Sequence, residues 1–141
     1  MALLSRKGLL AIAAVVDIAL HGKGRPVSAK ALAARHILPA RHLEPVLQGL
    51  VRVGILRGVR GPRGGYELAR ERRRITADDI LRAAGTIEEA GEPSATAGSA
   101  LLNEVVIPAV GQAERAFSVA LSRISLEELV RNAEPWRDAT T

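Results

Sequence analysis

The side chains best able to do chemistry in this 141-residue sequence are cationic and clustered. Arg41, His42, Glu44, Gln48 and Arg52 fall at helical spacing on the side opposite Leu43, Val46, Leu47, Leu50 and Val51. A few residues later comes the glycine-rich run Arg60-Gly61-Pro62-Arg63-Gly64-Gly65. An arginine forks onto a phosphate or a guanine edge, a glutamine onto adenine, and a glutamate accepts from the cytosine amino group. The chemistry on offer is therefore hydrogen bonding to a polyanion. Glu44 is costly on a face that only meets phosphates: it either selects a base or pairs along its own helix with Gln48 or Arg41. No nucleophile recurs beside a base, so no enzyme activity is expected.

Composition narrows the field. The net charge is +5, but residues 1–82 hold sixteen Lys and Arg against six Asp and Glu, a net of +10, whereas residues 83–141 are at −5. A basic first part joined to an acidic second part fits a polyanion-binding module attached to something else. Aromatic residues are 2% (Tyr66, Phe117 and Trp136), too few for a base-stacking platform. With no cysteine at all, the chain has no disulfide, no thiolate zinc site, no thiol nucleophile and no cysteine-ligated iron–sulfur cluster. The length is too short for a barrel enzyme and suits one domain, or one small domain plus a dimerisation arm.

The elements needed to hold those residues can be read along the chain. The apolar run 8–20, after Arg6 and Lys7, imitates a signal peptide, but Asp17 interrupts it and its thirteen residues fall short of the about 20 that span a bilayer. We read it as a buried helix from about Ser5 to His21, capped by Ser5 and ended by Gly22 and Gly24, in a cytoplasmic protein. Being apolar almost all round, it must be covered on two sides. Ser28 caps a short helix over 29–35, His36-Ile37-Leu38 turns, and a second helix follows Pro39 over 40–53, with Pro45 expected to kink it. This is a helix-turn-helix pattern. Residues 55–59 and 66–69 alternate like strands around the glycine-rich turn, forming a hairpin wing whose base Tyr66 closes. Arg60 and Arg63 at its tip would enter a minor groove or hold phosphates. Arg70, Arg72, Arg73 and Arg74 are either further phosphate contacts or a solvated run. Thr76 caps a helix through Ala84, with Asp78 and Asp79 in its first turn.

At this point the chain resembles the IscR/NsrR-type (Rrf-two) family of bacterial winged helix-turn-helix transcription regulators. The resemblance rests on Leu4-Ser5-Arg6-Lys7-Gly8, Asp17-Ile18-Ala19-Leu20, Pro26-Val27-Ser28 and Leu43-Glu44-Pro45-Val46-Leu47. It rests most of all on Val59-Arg60-Gly61-Pro62-Arg63-Gly64-Gly65-Tyr66-Glu67-Leu68-Ala69-Arg70, followed by Ile75-Thr76-Ala77-Asp78-Asp79-Ile80. It covers residues 1–85 closely and Ile124-Ser125-Leu126-Glu127-Glu128-Leu129-Val130 more loosely. It implies a mainly α fold with a small β-hairpin wing, that is, a winged helix-turn-helix plus a long dimerisation helix. It further implies a homodimer on a pseudo-palindromic operator in double-stranded DNA, acting as a repressor. Glu44 then takes the base-selecting position and Arg60 that of the wing arginine. The residues assigned to DNA are Ser28, Arg41, His42, Glu44, Gln48, Arg52, Arg60, Arg63 and Gly64.

The sequence supports the dimerisation helix independently. Over 99–123, Leu101, Leu102, Val105, Val106, Val110, Ala113, Phe117 and Leu121 recur at three-to-four spacing, a stripe too long for a small domain to cover alone, with Pro108 expected to kink or break it. We therefore divide the chain into a winged domain (1–85), a loop in the position of the family's sensor region (86–98), and a dimerisation helix with its tail (99–141). Many family members hold an iron–sulfur cluster on three cysteines between positions 87 and 108. Here that stretch has neither Cys nor His, and Glu88, Glu89 and Glu92 read as a solvated face, so no cofactor or metal is expected. His21 is expected to be structural and His36 a turn residue. A small-molecule or protein effector would sit between the first helix and the dimerisation helix. The competing reading is an adaptor whose winged domain binds a partner protein.

Overall fold

The computed structural model describes residues 4–85 and 99–136. The segment 86–98, with the three glutamates, lies outside the described residues.

Helix α1 (Arg6–His21) is the centre of the molecule. The Ser5 hydroxyl accepts the Gly8 amide at 3.1 Å and opens the helix, and Gly22 closes it. Ala11, Ala14, Val15 and Ile18 are buried, with α3 (Ala40–Arg52), α4 (Ala77–Ala83), α6 (Leu126–Ala133) and the wing packed around them. An element apolar on nearly every side is thus covered on nearly every side, as its composition requires. Ser28 accepts the Ala31 amide at 3.0 Å and starts α2 (Ala29–His36), one residue longer than the sequence suggests. Ile37 turns the chain, and α3 (Ala40–Arg52) buries Leu43, Val46, Leu47 and Leu50. Pro45 does not break α3. As the sixth residue of the helix it forgoes the single amide bond to the Arg41 carbonyl, and the helix runs on to Arg52, its first turn tightened by the His42 amide on the Pro39 carbonyl at 3.0 Å. Gly49 on the inner side faces α4: a Cβ there would stand 2.9 Å from the Ala83 carbonyl oxygen.

Strands β1 (Leu56–Val59) and β2 (Gly65–Leu68) pair antiparallel in the register Leu56–Leu68, Arg57–Glu67, Gly58–Tyr66 and Val59–Gly65. The hairpin is tied to the loop before α2, where Val27 and Tyr66 exchange two backbone hydrogen bonds of 2.8 and 2.9 Å. A 3-10 turn (Arg72–Arg74) leads to α4 (Ala77–Ala83). Thr76 and Asp79 close a reciprocal capping box there, at 3.1 and 3.0 Å.

After the undescribed segment a helix runs from Ala100 through a π-helical stretch (Leu102–Val106) into α5 (Ile107–Ser122). Pro108 is the reason for the wider turn. Its ring would clash with the carbonyl four residues back in a regular helix, and widening the turn moves that carbonyl aside. The Ile107 amide accordingly bonds Leu102, five residues back. The expected kink or break at Pro108 is replaced by this wider turn in an otherwise continuous helix. Ser125 caps α6 (Leu126–Ala133), whose Leu126 and Val130 are buried in the same core as α1. The Leu126 amide bonds the Ile75 carbonyl at 2.8 Å, and that of Ala77 bonds Ile124 at 2.9 Å. Residues 124–133, taken from sequence as part of a tail to the dimerisation helix, thus return to pack on the winged domain. A second, smaller core joins Ala77 and Leu81 of α4 to Leu121 of α5, flanked by Leu4, Ile12, Phe117 and Ile124.

Candidate nucleic-acid interface

The amphipathic pattern of α3 decides which side chains are offered to solvent. Its inner stripe holds the helix down, and Arg41, His42, Glu44, Gln48 and Arg52 all stand exposed on the other side. Among the described residues Glu44 makes no ion pair with Arg41 and no hydrogen bond with Gln48. The Gln48 amide instead donates to the Tyr66 hydroxyl at 3.4 Å, across from helix to wing. Arg60 and Arg63 are exposed at the hairpin tip. Gly64 plays an internal part in that tip: its amide donates to the Gly61 carbonyl at 2.9 Å, and a Cβ would run into the Val59 carbonyl oxygen. Ser28 is likewise committed to capping α2, the orientation that sets the start of the helix-turn-helix.

Not every arginine after the wing faces outward freely. Arg70 donates to the Gly54 and Val53 carbonyls at 3.2 and 3.0 Å, capping the C-terminal end of α3. Arg72 pairs with Glu127 at 3.1 Å, and Arg57 with Glu67 at 2.7 Å across the hairpin. Arg73 and Arg74 are exposed. The run 70–74 is therefore part structural, which its composition could not reveal.

One charged side chain among the described residues is buried, Asp17 on α1, with 3% of its side chain accessible. Arg35 grips it with two hydrogen bonds of 2.9 and 2.6 Å, and His36 Nε2 lies 2.9 Å from its second oxygen. His21 Nδ1 stands 3.2 Å from the first. Burial pushes the Asp17 carboxyl up, but the Arg35 hydrogen bonds and charge, with His21 and His36, outweigh that and hold it below its ordinary range. Arg35 is raised in turn by its bonds to Asp17. His36, expected to be only a turn residue, is thus a ligand of a buried carboxylate. In the sequence Asp17 shows only as a charge interrupting an apolar run. That interruption was the available signal, because a buried acid requires partners.

The stripe on the second half of the chain divides in two. Leu101, Val105, Val106 and Val110 are exposed, at 69, 57, 42 and 56%. Leu121, assigned with them to self-association, is instead 6% exposed, packed on Ala77 and Leu81, with Phe117 beside it. Those two therefore serve the chain's own core, since α4 reaches that end of α5. Leu102 is half-buried. Between α1 and α5, where an effector was foreseen, Ile12 and Phe117 each pack against the small core of Ala77, Leu81 and Leu121. An open cleft of about 400 Å³ lies elsewhere, against Lys23, Leu68, Arg70, Arg72 and Glu127.

A family model described as Rrf2, iron-dependent transcriptional regulator, matches residues 4–132. The chain is 35% identical over 139 residues to slr0846 of Synechocystis sp., named as an HTH-type transcriptional regulator, covering 96% of this chain and 92% of that one. It is 32% identical over 135 residues to the HTH-type transcriptional regulator IscR of Xenorhabdus nematophila, covering 93 and 80%. Among solved structures, T. potens IscR superposes with a TM-score of 0.71 at 30% identity over 93% of this chain and 88% of that one. Oxidised Staphylococcus aureus CymR gives 0.68 at 25% identity, over 90 and 94%. Iron held as a thiolate cluster does not fit this donor set: the sequence has no cysteine, and no three His, Asp or Glu gather as a metal site among the described residues. No helix among them is long and apolar enough to cross a membrane.

Proposed function

Because this chain belongs to the Rrf2 family of winged-helix, DNA-binding transcription regulators, which are not enzymes, we propose that it acts as a homodimeric, sequence-specific repressor in the cytoplasm that uses no iron–sulfur cluster. The observation that carries this reading is the contact between Gln48 and Tyr66, which joins the polar outer face of α3 to the wing and its exposed Arg60 and Arg63. A helix and a glycine-rich loop held side by side are shaped for adjacent grooves of one duplex. Arg41, Glu44 and Gln48 would read base edges in the major groove, with Arg60 in the minor groove and the surrounding cations on phosphates.

Homodimerisation is supported by Leu101, Val105, Val106 and Val110, which a single copy leaves in water. Two copies would set two copies of α3 about one duplex turn or a multiple apart, matching a pseudo-palindromic operator. Bound there, the protein would deny the site to transcribing enzyme. In this reading residues 1–85 form the DNA-binding unit with α6 lent back to it, 86–98 occupy the sensor position, and the helix after 99 associates. The signal would come from a small molecule or a protein rather than from iron chemistry. The test is fluorescence anisotropy on duplexes selected from genomic fragments, repeated at rising salt. Affinity should fall steeply and linearly on a log–log plot, because phosphate neutralisation releases counterions. Affinity that ignores salt, or no preference among duplexes, overturns the proposal.

A further inference from the structure

We propose that Asp17 is a positioning residue for DNA recognition: through Arg35 and His36 it holds the turn between α2 and α3 in a strained shape that fixes where α3 begins. The inference rests on the DNA-binding reading and adds to it a residue on the inside of the domain.

Three observations combine. First, α2 is weakly anchored by packing, since of its eight residues only Leu32 and Ala33 are buried. Its C-terminal end is held instead by the two arms of Arg35, at 2.9 and 2.6 Å, and by His36 at 2.9 Å, all on one carboxylate of α1. Second, the next residue, Ile37, has φ of +53°, a left-handed conformation that a β-branched side chain resists. Its side chain is 90% exposed, so no burial of its own compensates. Such strain persists only where the surroundings impose it. The imposing contacts flank it: the Asp17 grip before it, and after it the Leu38 amide on the Ala33 carbonyl at 3.0 Å. Third, α3 starts three residues on, at Ala40, with Arg41 and His42 in its first turn. A change in this turn therefore moves the end of α3 that carries the outward polar residues.

The anchoring side is packed into the core. Helix α1 packs against α3, α4 and α6, and the charged groups facing Asp17 are Arg35 and His36 from α2 and His21 from α1 itself. The Asp17 carboxylate thus transmits the position of α1 to the turn.

The experiment measures anisotropy with two probes, an operator duplex selected by the wild-type protein from random sequences and a non-operator duplex of equal length. The proteins are wild type, Asp17→Asn, Ile37→Gly and the double variant. Asp17→Asn should weaken operator binding about tenfold, roughly the effect of losing one good base contact. Non-operator affinity should hold or rise, because the substitution removes a negative charge. Simple unfolding would lower both, and a purely electrostatic effect would tighten both. Ile37→Gly in the Asp17→Asn background should restore most of the operator affinity, since glycine adopts the turn unaided. His36→Gln, which removes one arm, should show the same pattern more weakly and carries the test if Asp17→Asn does not fold by circular dichroism. Operator binding unchanged in Asp17→Asn and His36→Gln, or a loss that Ile37→Gly does not repair, overturns the proposal. Wild-type protein without operator preference would instead overturn the DNA-binding reading beneath it.

Discussion

Helices α3 and α5 carry the same kind of pattern and meet opposite fates. Both show apolar residues at three-to-four spacing with polar residues between them. In α3 the stripe is spent inside the chain: Leu43, Val46, Leu47 and Leu50 are all buried. From the turn before the π-helical stretch into the first turn of α5 it is left in water at Leu101, Val105 and Val110, and at the far end Leu121, with Phe117 beside it, is taken in by α4. Amphipathicity states that a face will be covered but not by what. One stripe stabilises this chain, and the other is left uncovered by it and meets a second copy only in the proposed dimer.

Four substitutions or conditions probe that difference, in descending order of effect. Leu47→Ala removes a fully buried side chain from the α3 stripe and should cost the folded chain about 2–5 kcal/mol, read from urea unfolding. Val110→Glu should leave a single copy folded but set charges in the apolar seam, weakening self-association about 100-fold, or roughly 2.7 kcal/mol, by sedimentation equilibrium. If Val110→Glu instead unfolds the chain, or leaves association intact, the contrast between the stripes fails. Arg60→Ala touches neither stripe and should weaken operator binding by about 1–3 kcal/mol without altering the unfolding midpoint. The smallest effect should come from acid. Asp17 sits below its ordinary value of 3.8 when folded, so the stability it lends is full above that value and is lost as pH falls through the lower, folded one. Urea midpoints between pH 6 and 3 should therefore slope downward at the acid end, less so in Asp17→Asn. Self-association through Leu101, Val105 and Val110, which do not titrate, should lack that slope until the chain itself unfolds.

Much of this was legible in advance because it is local. The caps at Ser5, Ser28 and Thr76 and the alternation on either side of the glycine-rich turn are written within a few residues of where they act. Contacts between distant residues were not legible. Asp17 meets Arg35 and His36 eighteen and nineteen positions away, and Arg70 caps α3 sixteen and seventeen positions back, so neither partner could be inferred from spacing. Leu121 matched the stripe as well as Val110 did, and only the placement of α4 separates them. Pro108 was legible as a disturbance but not as one that a wider turn would absorb.

Gly49 carries a consequence of its own. The backbone of α4 comes so near to α3 at that point that even one methyl group would force something to move. How far α3 stands out from the body of the domain is thus governed by an atom that is missing. In the proposed DNA complex, crowding this seam from behind would shift α3 while every outward side chain stays as it is.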